Sequence, residues 1–253
     1  MDNKSEFIGK VVVITGGSTG SIGAGIATEF AKRGAQVVIS GPVADRIKSV
    51  ANRCTDVSPN GLLAAEIVAD ISREDDCKSL IDTTVDLFNK IDILVNIFCE
   101  PLASHVMDTD FMDQLNNMLD IQLKAPIWLT QLSANYLDKS KGNIVFVNTL
   151  SSLHCDQDHV AHSTVQYALN VYSKCAARSL MAQGVRINTV VTNLSNDSTG
   201  SSSSSSGDTD VVGTPEDVAL AVLYLSSPAA KFINGTTHVV DGGHNIIDYY
   251  LEN

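Results

Sequence analysis

The sequence predicts an α/β protein, a doubly wound parallel sheet with helices on both faces, and three observations carry that prediction. Short apolar runs alternate with amphipathic helical stretches from one end of the chain to the other. The runs are apolar at consecutive positions, the pattern of strands buried on both faces. The first run ends in a glycine-rich turn that opens directly into a helical pattern.

Taken in order, residues 11–14 form the first strand and a helical pattern covers 22–32, stopped by Gly34. A second strand over 36–40 and a second helix over 46–54 continue the alternation. Further strands are predicted at 63–68, 91–95, 142–147, 186–191 and 237–240, giving about seven in all. Helices are predicted at 72–89, 108–137, 162–181 and 214–225. Such alternation places helices on both sides of a parallel sheet, and ligands of open sheets bind at the carboxyl ends of the strands.

A chain of 253 residues is long enough for one large domain, so residues 1–253 are expected to form a single unit. Hydrophobic residues make up 44% and charged residues 18%, and no apolar run approaches the ~18 residues of a membrane span. The start, 1–10, is polar and holds Asp2 and Glu6, unlike a secretory signal, which leads to the expectation of a cytoplasmic protein. A net charge of −12 argues against nucleic acid, whose binding draws on clustered cations. The five cysteines, Cys54, Cys77, Cys99, Cys155 and Cys175, are odd in number and scattered, which reads as reduced thiols.

One segment breaks the pattern. Residues 194–210 contain an unbroken serine run, Ser201 to Ser206, flanked by Gly200 and Gly207, with too little apolar surface to offset the entropy of ordering. A flexible loop is expected there.

Thr15-Gly16-Gly17-Ser18-Thr19-Gly20-Ser21-Ile22-Gly23 joins the first strand to the first helix. Glycines let a backbone approach a pyrophosphate, and a helix N-terminus offers free N–H groups. The segment resembles the Thr-Gly-x-x-x-Gly-Ile-Gly fingerprint of the short-chain dehydrogenase/reductase family, with Ser21 inserted. Asp70 resembles the family's adenine-contacting Asp, and Asp92-Ile93-Leu94-Val95-Asn96 its fourth strand. Gly184-Val185-Arg186-Ile187-Asn188 is similar to the start of its sixth strand. Gly213-Thr214-Pro215-Glu216-Asp217-Val218-Ala219, Phe232-Ile233-Asn234-Gly235 and Val240-Asp241-Gly242-Gly243 are similar to its C-terminal signature, among proteins of the 3-oxoacyl-carrier-protein reductase kind. The resemblance implies a Rossmann-type fold, with Thr15, Gly16, Gly20, Ile22, Gly23, Asp70 and Asn96 at positions that hold NAD or NADP. It also implies that 194–210 replaces the substrate lid.

Family members use a Tyr as general acid, a Lys that tunes it and holds the nicotinamide ribose, a Ser that orients the carbonyl and an Asn that supports a proton relay. No Tyr-x-x-x-Lys is present. Gly142-Asn143-Ile144-Val145-Phe146-Val147-Asn148-Thr149 resembles the fifth strand and its Ser, which puts Thr149 at that Ser. Ala168-Leu169-Asn170-Val171-Tyr172-Ser173-Lys174 looks like the stretch after the catalytic Lys, so His162 falls at the Tyr and Gln166 at the Lys. Asp120-Ile121-Gln122-Leu123-Lys124 resembles Asp-Val-Asn-Leu-Lys, so Gln122 replaces the Asn. Gln166 carries no charge to depress a neighbouring pKa, whereas His162 is a competent acid or base near neutral pH. An alternative pair, Tyr167 and Lys174, has the spacing of enoyl reductases, but Lys174 lies only 14 residues before Asn188, late for a catalytic Lys.

The cofactor positions depart from the family as well. Asn96-Ile97-Phe98-Cys99 stands for Asn-Asn-Ala-Gly, Ser40-Gly41-Pro42 offers neither an acid nor an Arg, and Thr192-Asn193 replaces Pro-Gly. NAD or NADP binding is therefore expected to be weak or lost. His154, Cys155, Asp156, Asp158, His159 and His162 follow the fifth strand, but their spacing matches no metal motif and reads as a polar loop. The expectation is a family member without ordinary carbonyl reductase activity that binds a small ligand or a protein. Alternatives are an NAD(P)-dependent oxidoreductase and a His162-assisted isomerase or lyase. The helices at 108–137 and 162–181 match the pair that builds the family's subunit interface, so a homodimer or homotetramer is expected.

Overall fold

The structure is a computed structural model that describes residues 6–16, 20–98, 103–194 and 213–243. Its strands are β1 (Val11–Thr15), β2 (Gln36–Gly41), β3 (Ala65–Val68), β4 (Ile93–Phe98), β5 (Asn143–Thr149), β6 (Arg186–Thr192) and β7 (Thr237–Val240). They form one parallel sheet in the order β3-β2-β1-β4-β5-β6-β7. The order reverses direction between β1 and β4, which opens a crevice at the carboxyl ends of those strands. This is the Rossmann-type arrangement expected from the sequence.

Among the described residues seven α-helices accompany the strands: α1 (Gly20–Lys32), α2 (Ala44–Val57), α3 (Glu74–Phe88), α4 (Phe111–Leu119), α5 (Ala125–Ser140), α6 (Val160–Ser179) and α7 (Pro215–Ser226). Because strand side chains alternate between faces, each strand feeds two cores. Val12, Ile14, Val37, Ile39, Val95 and Val147 pack with Ile26, Phe30, Ile47 and Val222 of α1, α2 and α7. Val11, Val13, Val38, Leu94, Ile144 and Phe146 pack with Leu80, Leu129 and Leu169 of α3, α5 and α6. The continuous apolar runs are thus buried on both sides, as their composition required.

Local chemistry sets the ends of the elements. The first turn of α3 carries Glu74, Asp75 and Asp76, favourable at the positive end of the helix dipole, and Asn89 closes the helix in the left-handed conformation at φ 57°. Thr214 and Asp217 form a reciprocal capping box ahead of Pro215 at the start of α7. Gly25 of α1 lies so close to α7 that an added Cβ would meet Pro215 Cβ at 3.2 Å, so a small residue sets that helix spacing.

Two expectations are corrected here. The single helix over 108–137 is two helices joined by a π-helical turn, Asp120–Lys124. Pro126 has no N–H to donate to the Gln122 carbonyl four residues earlier, and the Ala125 N–H reaches the Asp120 carbonyl instead. The fourth strand, expected at 91–95, runs on to Phe98 because it pairs with β5 as far as Phe98 opposite Asn148. Ile97 and Phe98 are therefore core residues of opposite faces. Of the expected flexible loop at 194–210, residues 195–210 lie outside the described residues, as do residues 17–19 of the glycine turn and Cys99. Cys54, Cys77, Cys155 and Cys175 are free thiols, and burial pushes Cys54 up to about 11 and Cys77 up to about 12.

Candidate functional site

The crevice edge begins as a polar row across three strands. Ser40 of β2, Thr15 of β1 and Asn96 of β4 stand in register and are fully buried, and Thr15 Oγ1 donates to Asn96 Oδ1 at 2.9 Å. Gly16 follows at φ 72°, where an added Cβ would stand 2.7 Å from the Ile97 carbonyl oxygen, so the glycine is required for strand approach. Gly20 opens α1, while Ile22 and Gly23 are buried within it, with Ile22 packed in the core. Asp70 lies beyond the end of β3, where its Oδ1 accepts from the N–H and hydroxyl of Ser72 and its own N–H donates to Asp76. Its carboxylate thus shapes the turn into α3.

The four residues that the sequence resemblance leads us to expect at catalytic positions come together as two bonded pairs. Thr149, at the end of β5, places Oγ1 2.9 Å from His162 Nε2 on the first turn of α6. One turn further along α6, Gln166 Nε2 donates to Gln122 Oε1 at 3.0 Å. An (i, i+4) spacing puts His162 and Gln166 on the same inward face. The π-helical turn carries Gln122 to meet them, and all four side chains are buried.

Burial, with a smaller contribution from the neighbouring positive charge of His159, lowers the His162 pKa to about 4 against a weaker opposing pull from Asp156. At neutral pH the ring is uncharged. Among the described residues His162 Nδ1 and Gln166 Oε1 are buried without hydrogen-bond partners. The pair can therefore share one proton between a hydroxyl and an imidazole, while the neighbouring amide pair supplies no positive charge. Tyr167 and Lys174, the alternative pair, lie on the exposed outer face of α6, away from Thr149 and Gln122.

The loop after β5 folds on its own polar groups. His159 Nδ1 lies 2.8 Å from Asp156 Oδ2, and His105 Nδ1 lies 3.7 Å from Asp158 Oδ1. Burial raises the Asp156 pKa, but the Asp158 N–H and His159 outweigh it and hold the carboxyl below its usual range. Among the described residues no group of three or more His, Cys, Asp or Glu side chains is placed to hold a metal ion. Sequence reasoning missed Asn148, fully buried one residue before Thr149, with both Oδ1 and Nδ2 unpartnered among the described residues. The available signal was a polar residue ending the apolar run Ile144-Val145-Phe146-Val147.

A nicotinamide dinucleotide fits part of this arrangement. Asn96 Nδ2 and Ser40 Oγ are buried hydrogen-bonding atoms without partners among the described residues, on either side of Thr15 at the strand-order reversal. They and the N-terminus of α1 are the groups that would hold its adenosine and phosphate portions. If Gln166 stands at the position expected from the resemblance, it could hydrogen-bond a nicotinamide ribose but would bring no charge.

A family model described as enoyl-(acyl carrier protein) reductase matches residues 17–245. The chain belongs to the short-chain dehydrogenase/reductase family. It is 31% identical to tropinone reductase-like 3 of Erythroxylum coca over 249 residues, 94% of each chain. It is 34% identical to 11-beta-hydroxysteroid dehydrogenase A of Sesamum indicum over 147 residues, 58% of this chain, and spans only 41% of that protein. Among solved structures, a short-chain dehydrogenase/reductase of unknown function from Caenorhabditis elegans, solved with cofactor, superposes with a TM-score of 0.83 at 28% identity, covering 95% of this chain and 97% of that one. Short-chain dehydrogenases/reductases are oxidoreductases that typically bind NAD(P). Among the described residues no helix is long and apolar enough to cross a membrane.

Proposed function

We propose that this family member binds a small organic molecule or a partner protein through its crevice and does not carry out ordinary carbonyl reduction or alcohol oxidation. The observation that supports this reading is the Gln122–Gln166 amide pair, uncharged at the position where the sequence resemblance leads us to expect the residue that tunes a proton donor. A bound NAD(P)H would supply a hydride, but the substrate oxygen also needs a proton from a group of tuned pKa. A His162 that is neutral at physiological pH, with its Nε2 engaged by Thr149, is a poor source of that proton. Binding of NAD or NADP is weak or lost in this reading. Titration with NADH and NADPH, followed by cofactor fluorescence, tests it: weak or absent binding is expected, and tight binding favours the second reading.

That second reading is an enzyme, either an NAD(P)-dependent oxidoreductase or a His162-assisted isomerase or lyase acting on a small organic substrate. The Thr149–His162 hydrogen bond favours it, because a neutral imidazole touching a hydroxyl can accept a proton. In both readings the protein is a cytoplasmic homodimer or homotetramer that binds neither nucleic acid nor membrane. The net charge of −12 supports the absence of nucleic acid, and the outward face of α6, with exposed Val171 and Tyr167, suits a subunit contact.

A further inference from the structure

We propose that a cavity at the amino-terminal edge of the sheet, opposite the crevice, binds a small phosphate monoester that carries a free hydroxyl. The cavity has a volume of about 220 Å³, below the ~300 Å³ at which sites for drug-sized ligands begin. It lies where the segment before β1, the start of β4, the turn into β5, the start of β6 and the end of α7 converge. Four cations line it, Lys10, Lys141, Arg186 and Lys231, against the two carboxylates of Glu6 and Asp92. In a chain of net charge −12 this local excess of positive charge is unusual.

The pairing of these charges leaves the excess available. Asp92 is already neutralised by Lys10 at 3.0 Å and Lys90 at 2.8 Å, and it accepts the Val11 N–H as well. Arg186 is half-buried and donates only to backbone carbonyls, at 2.8 Å to Leu225 and 3.4 Å to Ile233 and Ser227. Among the described residues Lys231 has no carboxylate within ion-pair distance. Lys141 pairs with Asp138 at 2.7 Å, so an anion here meets two cations, Arg186 and Lys231, that no carboxylate among the described residues has claimed.

Two residues that line the cavity each hold a buried side-chain atom without a partner among the described residues, and the two atoms differ in what they ask for. Asn143 is 4% exposed, and its Nδ2 donates to the Ser226 carbonyl at 3.2 Å, which leaves Oδ1 as an acceptor without a donor. Ser226 is 7% exposed and its Oγ has no partner, so its O–H is free to donate. Unsatisfied buried polar atoms cost free energy unless something meets them. A phosphate oxygen accepts from Ser226 and the cations, and a ligand hydroxyl donates to Asn143 Oδ1. An unhydroxylated anion satisfies only the first of these, and a neutral alcohol only the second.

The probe is glycerol 3-phosphate, titrated into the full chain and followed by calorimetry and by the Asn143 side-chain amide signal in NMR, with sulfate, an anion without a hydroxyl, and glycerol as comparison arms. The expected result is that glycerol 3-phosphate moves the Asn143 amide and binds more tightly than either sulfate or glycerol. Lys231→Glu, an exposed substitution, is expected to weaken binding about tenfold, the size of one lost charge-assisted contact, and Ser226→Ala to weaken it several-fold. Failure of glycerol 3-phosphate to bind overturns the proposal. So does binding that is unchanged in both variants, or that moves only signals around Thr15 and Asn96 at the opposite edge.

Discussion

Thr149 Oγ1 and His162 Nε2 meet at 2.9 Å in a buried contact between the end of β5 and the start of α6. The contact joins two segments separated by a polar loop, and it ties the behaviour of the site to the protonation of one ring. A charged imidazolium there would lose its hydration with no carboxylate in hydrogen-bonding contact to compensate it.

Stability should therefore fall as the solution is acidified through the range in which His162 titrates. Its folded pKa of about 4 lies below the ordinary 6.5, so between these values the unfolded chain binds more protons than the folded one. The contribution is complete above the unfolded value and is lost as pH falls towards the folded one. Between about pH 7 and about pH 5, His162 alone should remove about 2 kcal/mol. Chemical denaturation of the wild type and His162→Gln at both pH values checks this, and equal slopes in the two proteins would show that His162 is not the group responsible.

The Gln122–Gln166 pair makes a second stability prediction. Replacing Gln166 by Leu leaves Gln122 Oε1 buried without its donor and should cost roughly 1–3 kcal/mol. Gln122→Leu should have a similar effect, because it removes the acceptor of the Gln166 amide. The double substitution should cost clearly less than the sum of the two, since it removes both polar partners together. Strict additivity in denaturant melts would mean that the two amides do not interact.

Much of this fold was legible because its decisive interactions are repetitive. Val11 to Ile14 are apolar at every position, so no register error could hide a strand buried on both faces. The far end of β4 was not legible, because Asn96 and Ile97 look like a turn until β5 pairs beside them. Pro126 announced a disturbance, but a π-helical turn has the same local apolar pattern as the helix it interrupts. Resemblance located Thr149, His162, Gln122 and Gln166; their pairing needed the tertiary approach of α6 to β5 and to the turn after α4. The burial of His162, and with it the depressed pKa, is a property of that approach and not of its neighbours in sequence.

Gly16→Ala should destabilise the protein by at least about 2 kcal/mol, more than an exposed glycine change would. The left-handed backbone at φ 72° costs a side chain roughly 1–2 kcal/mol, and the added methyl would press on the Ile97 carbonyl at 2.7 Å. Gly61→Ala is the control, since Gly61 has a similar φ of 64° but nothing within 4 Å of its added Cβ. Thermal melts should separate the two, and equal losses would rule out the contact with β4 as the reason for glycine.

The assembly prediction rests on the outward face of α6. Val171 is 60% exposed and Tyr167 is 37% exposed on that face, so Val171→Glu would place a charge in the proposed subunit contact at little cost to the isolated fold. Sedimentation should show a wild-type dimer or tetramer and a Val171→Glu monomer. A wild type that is already monomeric at micromolar concentration removes the basis for the prediction.

The final prediction concerns chemistry. Wild-type protein should not reduce ordinary ketones or aldehydes with NADH or NADPH at a useful rate, because no group at the site combines proton donation with a supporting charge. Loss of one positioned acid costs roughly a hundred- to ten-thousand-fold in rate, and residues that act as a unit do not contribute additively. His162→Tyr restores a phenol beside Thr149, and Gln166→Lys brings an ammonium to the position from which Gln166 now reaches Gln122 Oε1 at 3.0 Å. Neither change alone should produce activity, since a phenol without the charge keeps a high pKa and an ammonium without the phenol has no acid to tune. Together they should be necessary for reductase activity, with Gln122→Asn as the next step if activity remains low. The measurement is cofactor oxidation against a broad carbonyl panel for the wild type, both single variants and the double variant. Robust wild-type turnover that is abolished in His162→Gln, yet survives replacement of Tyr167 by Phe and Lys174 by Met, would mean that the Thr149–His162 pair runs the chemistry and that the binding-only reading is wrong.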